Sequence, residues 1–307
     1  MLNLLFISKD TSNLIVKNYS YLEQELGKIS NLMIWRQPGN LKDILERLPV
    51  KPDFILLLND LGGFNPMVNG LAETKIPAGL FINDVHRLVQ EREEYIKDNA
   101  IPYLFSVYRD KFHQNYPSYR DRFIWFPHFI NRDIYKDYGA VKENELLMLG
   151  AINGYYPFRK IVKEYYKDDK RFVYKKHPGY RAFSKREESA LLIGESYAKE
   201  INKAKIFFTD SSILNYPLLK YYEVPACKTL LLAPTFPELE DLGFIPDVHF
   251  AAVTENDFAI RAKYFLENEE PRNQIIDQGH NFILNNHTVQ VRARQLVEKI
   301  KEIVSEK

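Results

Sequence analysis

A turn of one acid and two hydroxyl side chains, Asp210-Ser211-Ser212, lies between the short apolar runs 206–209 and 229–233. The runs predict two buried strands of a parallel sheet, joined by a short helix that ends near Glu223. In such sheets, ligands bind at the carboxyl ends of strands, where helix N-termini direct N–H groups toward an anion. Asp and Ser are also favoured helix caps. The turn therefore predicts either a cap alone or a cap that also binds phosphate or hydroxyl groups.

Glu223 is two residues before Pro225, which is expected to end the helix and leave the carboxylate at its C-terminus. A carboxylate there opposes the helix dipole. Hydrogen bonding to a vicinal diol, such as a ribose, would compensate for this position. A solvated glutamate is the simpler alternative.

Two further turns in the second half combine apolar runs with glycine or cations. Gly150 and Gly154 lie between a predicted strand and a helix that carries Arg159 in its first turns, and Lys176 and His177 follow another strand. Glycine lets a backbone approach a phosphate, and arginine can hold one with two hydrogen bonds. Cations here could neutralise a diphosphate leaving group. A solvated loop would also explain each turn.

In the first half, His86 follows the apolar run 78–82, at a predicted strand end where it could position a substrate oxygen. A structural histidine is the alternative. The seven histidines show no HxxxH or HExxH spacing, and Cys227 is the single cysteine, so we predict no metal site. GxSxG and Walker lysine loops are absent, which disfavours hydrolases and P-loop proteins.

Apolar runs of strand length alternate with helical patterns in both halves, which is typical of a parallel sheet covered on both faces. A chain of 307 residues exceeds the usual size of one core. The segment after Pro127 is polar and aromatic without a clear period, as expected for a connection. We predict one domain over 1–140, a second over 141–287, and a terminal helix over 288–307.

The formal net charge of +1 argues against a nucleic-acid partner bound through a broad basic surface. A single cysteine fits a reducing compartment. No apolar run approaches the roughly 20 residues that span a bilayer, and the N-terminus turns polar too early for a signal peptide. We expect a cytoplasmic protein without an integral membrane segment.

Together these residues resemble the GT-B glycosyltransferases, and more narrowly the group-1 type that includes the CgeB-like spore-maturation enzymes. Segment 215–234 is similar to the family's donor motif, in which two glutamates are separated by seven residues. Glu223 matches the second glutamate, whereas Asn215 stands at the position of the first. The C-terminal part resembles another family segment at Gly279, His287, Thr288 and Arg292.

The resemblance implies an α/β fold of two facing Rossmann-like, doubly wound domains with a cleft between them, and a last helix that crosses back to the first domain. It implies a UDP- or GDP-sugar as co-substrate, no other cofactor and no metal, retention of anomeric configuration, and a glycan or small-molecule acceptor in cell-surface polysaccharide or glycan biosynthesis. The expected catalytic residues are His86, Arg159 and Lys176. The expected donor-binding residues are Gly150, Gly154, His177, Asp210, Ser211, Ser212, Asn215 and, on the ribose, Glu223.

Three alternatives stay open. HPGY at 177–180 and TDSS at 209–212 also resemble CDP-glycerol glycerophosphotransferases, in which His177 and Asp210 would contact the donor phosphates. A sugar-nucleotide 2-epimerase shares the serine turn followed by an acid. Asn215 and Lys228, where the family commonly has Glu and Gly, favour a non-catalytic GT-B module that binds a glycan or a partner.

Overall fold

The computed structural model describes residues 1–58 and 66–306. Its strands are β1 (Asn3–Ile7), β2 (Asn31–Trp35), β3 (Gly39–Asn40), β4 (Phe54–Leu58), β5 (Val68–Asn69), β6 (Ala78–Ile82), β7 (Tyr103–Ser106), β8 (Phe123–Trp125), β9 (Asn144–Gly150), β10 (Phe172–Lys176), β11 (Ala204–Phe208), β12 (Leu230–Ala233) and β13 (Ala251–Ala252). Its α-helices are α1 (Asn18–Ile29), α2 (Leu41–Glu46), α3 (Val89–Asp98), α4 (Arg109–Asn115), α5 (Pro157–Tyr165), α6 (Lys185–Ala190), α7 (Glu195–Asn202), α8 (Lys220–Ala226), α9 (Pro237–Asp241), α10 (Phe258–Glu267), α11 (Glu269–Asn286) and α12 (Val289–Ser305).

Contacts divide the chain into two compact units. The first contains Met1–Ser12, Tyr19–Pro127 and Gln290–Lys307, and the second contains Asn13–Asn18 and His128–Val289. The first unit therefore stops at Pro127, before the boundary at 140 that we predicted from the sequence. The physical reason is that the intervening segment packs with the second unit. Tyr135 is 8% exposed in the core of that unit, and the N–H of Tyr138 donates to Asn202 Oδ1 at 2.8 Å.

The first unit contains a parallel sheet in the order β2-β1-β4-β6-β7-β8. All five residues of β4 and of β6 are buried. Such continuous burial requires cover on both faces, which explains why these strands appear in the sequence as unbroken apolar runs.

The second unit contains a parallel sheet in the order β10-β9-β11-β12-β13. On one face, Leu147 and Leu149 pack in a cluster with residues of α7 and α8. On the other, Leu146 and Met148 pack with residues of α5 and α10. The chain leaves β9 for β10 on one side and then crosses to β11 on the other. The strand order therefore reverses between β9 and β11, where open α/β sheets bind their ligands.

Candidate active site

Arg159, in the first turn of α5, lies buried at the reversal between β9 and β11, with 3% of its surface exposed. Its Nη1 donates to the carbonyl of Ala151 at 3.2 Å, and its Nη2 donates to Thr209 Oγ1 at 3.1 Å. The guanidinium carbon is 4.0 Å from the ring centre of Tyr156. Within the described part of the chain, no carboxylate forms an ion pair with it, and burial lowers its pKa. This is a buried cation held by neutral groups.

Gly150 ends β9 beside this guanidinium, with φ at +137°. A Cβ placed on it would lie 3.1 Å from Arg159 Nη1 and 3.5 Å from Lys220 Nζ. Two cationic groups therefore face the same point of the backbone. Gly154 differs, because a Cβ there would have no neighbour within 4 Å. Of the two predicted glycines, the geometry requires only Gly150.

The Asp210 carboxylate is buried and accepts two main-chain hydrogen bonds. Its Oδ2 accepts from the N–H of Arg159 at 3.2 Å, and its Oδ1 accepts from the N–H of Ser212 at 2.8 Å. The first bond satisfies an N–H that α5 cannot pair internally. Asp210 therefore caps a helix, but the helix is α5 and not the one that follows it in sequence.

The segment after Asp210 forms turns where we predicted a helix. Ser212 and Asn215 have φ of +63° and +51°, a left-handed conformation that a helix cannot continue through. Ser211 is buried, and Ser212 Oγ accepts from the N–H of Leu214 at 3.1 Å. Because α8 begins only at Lys220, the expectation that a helix N-terminus directly follows the serines is wrong.

Glu223 lies in the first turn of α8, so its predicted position at a helix C-terminus is also wrong. The helix continues through Pro225 to Ala226, and the dipole favours an acid near its start. The side chain is 7% exposed. Burial raises the pKa of its carboxyl, while the charge of Lys220 and the hydroxyls of Tyr135 and Tyr197 oppose this rise. The Tyr197 hydroxyl lies near but makes no hydrogen bond of good geometry among the described residues.

Lys220, the first residue of α8, was missed by the sequence reasoning. It is half-buried, and its Nζ lies 5.9 Å from the ring centre of Tyr197. It has no hydrogen bond or ion pair within the ranges 1–58 and 66–306. Burial and the charge of Arg159 lower its pKa to about 8, against the opposing effect of Glu223. The spacing of three residues between Lys220 and Glu223 was the available signal, but it becomes informative only once the start of α8 is known.

Lys176 is the last residue of β10 and His177 follows it, at the same edge of the sheet. Lys176 pairs in register with Gly150, and its side chain is exposed. His177 is half-buried, and its Nδ1 accepts from the N–H of Gly179 at 2.9 Å. Burial, with the charges of Lys220 and Arg159, lowers its pKa to about 4. The ring is therefore neutral near pH 7, and the hydrogen bond assigns its proton to Nε2.

His86 belongs to the first unit, in the turn after β6, and is half-buried. Two side chains hold this turn through its carbonyls: Arg92 Nη1 donates to Arg87 at 2.8 Å, and Asn115 Nδ2 donates to Val85 at 3.0 Å. Burial lowers the pKa of His86. The imidazole thus lies on a braced loop and favours its neutral form.

In residues 1–58 and 66–306, no group of three or more His, Cys, Asp or Glu side chains is placed to hold a metal ion. The same residues contain no helix that is both long and apolar enough to cross a membrane.

Comparison with known proteins gives one family match and several structural ones. Residues 151–298 match the family described as glycosyl transferase-like. HepE of Anabaena, solved with UDP and glucose, superposes with a TM-score of 0.67 at 10% identity over 98% of this chain and 100% of its own. Sucrose-phosphate synthase of Thermosynechococcus elongatus superposes with a TM-score of 0.69 at 10% identity, over 100% of both chains. A glycosyltransferase of Rickettsia africae superposes with a TM-score of 0.62 at 10% identity, over 100% of this chain and 99% of its own. No curated protein matches the sequence.

The structural matches show a GT-B fold, and the match of residues 151–298 to the glycosyl transferase-like family supports the group-1 type. The predicted α/β fold and the predicted class of enzyme are confirmed.

Proposed function

We propose that the chain transfers a sugar from a nucleotide-diphosphate donor, a UDP- or GDP-sugar, and that the second unit binds this donor. The observation that carries the proposal is Arg159: a buried guanidinium that forms no ion pair in the described chain, with only the nearby charge of Asp210 to favour it, at the strand-order reversal of a parallel sheet. A buried charge is costly unless it is paired. A diphosphate beside Gly150 would supply the missing anion. The bound UDP and glucose of HepE are consistent with a UDP-sugar.

The chemistry follows from the charge that develops as the diphosphate leaves. Preorganised donors and cations aimed at such a charge are commonly the largest single contribution to catalysis. We assign this role to Arg159 and Lys176, with the Nε2–H of His177 as a neutral donor. These charges would do the work of a metal ion, so we propose a metal-independent reaction with no cofactor besides the nucleotide sugar. From the resemblance to the group-1 enzymes, we propose that the reaction retains the anomeric configuration.

The remaining predicted residues divide by geometry. Asp210 and Ser212 shape the loop after β11, because their polar atoms already bond to the main chain. Ser211 and Asn215 lie on that loop, and we propose that they supply polar contacts to the donor. Gly154 contributes only its main chain. In the first unit, we propose that the neutral imidazole of His86 positions an acceptor hydroxyl, which belongs to a glycan or a small molecule.

Calorimetric titration of the wild-type protein with UDP, GDP, UDP-glucose and CDP-glycerol tests this function, together with detection of released UDP, GDP or CMP. We expect binding of one nucleoside diphosphate and its release from the corresponding sugar. Arg159→Lys should bind it at least tenfold more weakly, whereas Arg171→Lys, at an exposed arginine of the same unit, should not differ. Release of CMP would instead establish the polyol-phosphate transferase. Absence of any nucleotide binding would leave the non-catalytic module.

A further inference from the structure

Lys220 and Arg159 come from different helices and converge on Gly150. An ideal Cβ on this glycine would lie within 3.5 Å of a cationic nitrogen from each. Because Gly150 has no side chain, there is a space beside it that is bordered by two positive charges. Neither charge has an ion pair in the part of the chain that the structure describes. One cation could be explained by packing, but two that face one gap indicate an anion with more than one charge.

Glu223 lies one helical turn beyond Lys220 on the same helix. Glu223 is buried and Lys220 is half-buried as whole residues, and their charged groups do not come within the 4.0 Å of an ion pair. Tyr197 is close to all three charged groups. Its hydroxyl interacts electrostatically with Glu223 and Arg159, and its ring faces Lys220 Nζ. The acid is thus placed to influence Lys220, while its 7% exposure leaves little surface for a ligand.

We propose that Lys220 binds the donor diphosphate together with Arg159 and Lys176, and that Glu223 acts as a positioning residue through the charge of Lys220 instead of contacting the ribose. This inference rests on the proposed function, and it names which side chains of the second unit meet the phosphates. It differs from the sequence prediction, in which Glu223 itself grips the nucleotide.

Lys220 should make binding of the diphosphate depend on pH, because its pKa is lowered to about 8. The groups that face it are Arg159 on α5, His177 after β10, Tyr197 on α7, and Glu223 on its own helix. Only the protonated ammonium attracts a diphosphate. Affinity should therefore be high below pH 8 and fall as the pH rises through that value. Removing the charge of Glu223 should move this fall to lower pH, because that charge favours the protonated form.

The experiment measures the affinity of whichever of UDP and GDP binds, from pH 7 to 9.5, with the matching nucleoside as a probe that lacks phosphate. For the wild type, we expect diphosphate affinity to fall up to tenfold per pH unit above 8, and nucleoside affinity to stay constant. Lys220→Arg should keep the affinity and flatten the profile. Lys220→Met should also flatten the pH profile, and its affinity for the diphosphate at pH 7 should be at least tenfold lower than that of the wild type. Glu223→Gln should shift the fall to lower pH.

Lys205, at the amino end of β11 and paired with Glu145, provides the control, and Lys205→Met should match the wild type. The inference is overturned if Lys220→Met binds the diphosphate like the wild type. It is also overturned if Glu223→Gln weakens diphosphate and nucleoside equally at every pH, as a ribose contact requires. If the wild type binds neither UDP nor GDP at any pH, the proposed function itself fails. That result is distinct from the other two.

Discussion

The carboxylate of Asp210 accepts a hydrogen bond from the main-chain N–H of Arg159, across 51 positions of sequence. The bond joins the loop after β11 to the helix that follows β9. It therefore holds α5 and the loop after β11 together at the point where the strand order reverses. An acid that the sequence presents as a ligand for phosphate or hydroxyl groups is occupied in holding the helix of the proposed phosphate-binding arginine.

Asp210→Ala should destabilise the protein, because it leaves two main-chain N–H groups without acceptors, one in α5 and one in the loop after β11. Each such group costs about 1–3 kcal/mol. Asp210→Asn keeps one acceptor oxygen and should lose less. Urea denaturation measures the free energy of unfolding, with Asp168→Ala as the exposed control. If Asp210→Ala unfolds like the wild type but loses nucleotide affinity, Asp210 is a ligand contact and not a cap.

Gly150→Ala should destabilise by about 1–3 kcal/mol, because alanine is strained at φ +137°. The added Cβ would also fill the space between Arg159 and Lys220, so nucleotide affinity should fall in the molecules that remain folded. Gly154→Ala is the matched control from the same loop and should stay within about 0.5 kcal/mol. Equal effects of the two substitutions on stability and affinity would show that Gly150 has no special role.

Gly279, one of the residues that carries the family resemblance, lies in α11 against the main chain of residue 249. A Cβ there would approach the carbonyl oxygen of His249 to 2.3 Å, so Gly279→Ala must displace the helix. We expect a loss of about 1–3 kcal/mol or more, as for an overpacked core. Gly27 is a helical glycine with no neighbour within 4 Å, and Gly27→Ala should stabilise by up to about 1 kcal/mol. Thermal unfolding of both variants should give shifts of opposite sign.

His177 should make stability fall on acidification. Its pKa is lowered to about 4 in the folded chain, below the value near 6.5 of an unfolded histidine. The unfolded chain therefore binds the proton first, and stability is lost as the pH falls from about 6.5 to about 4. His177→Gln should lose less stability than the wild type over this range, and the difference should be constant above pH 7.5. Parallel pH profiles of the two proteins would show that the imidazole is not buried as described.

The strands were predictable from local pattern. The apolar runs at 54–58 and 78–82 became fully buried strands, because a strand covered on both faces has no polar side to interrupt the run. The position of several candidate residues at one edge of the sheet was predictable for a similar reason. Arg159, Lys176 and Asp210 each follow an apolar run, and parallel strands bring such positions to one edge.

The rest depended on contacts that the local sequence does not contain. Asp210 caps α5 because two distant loops meet, and no spacing rule connects residues 159 and 210. Ser212 and Asn215 adopt left-handed conformations, so the predicted helix begins only at Lys220, nine positions after Ser211. The burial of Glu223 follows from that shift. The role that we propose for Lys220 depends on neighbours on α5, on α7 and after β10.

The first unit is assembled from three separate stretches of chain, 1–12, 19–127 and 290–307. Its last stretch contributes Leu296 and Ile300, which are 2% and 0% exposed. Deletion mapping from either terminus would therefore damage this unit at once, because no uninterrupted fragment encodes it. The second unit lies almost wholly within the single stretch 128–289, so an internal fragment is the better starting point for expressing part of this enzyme.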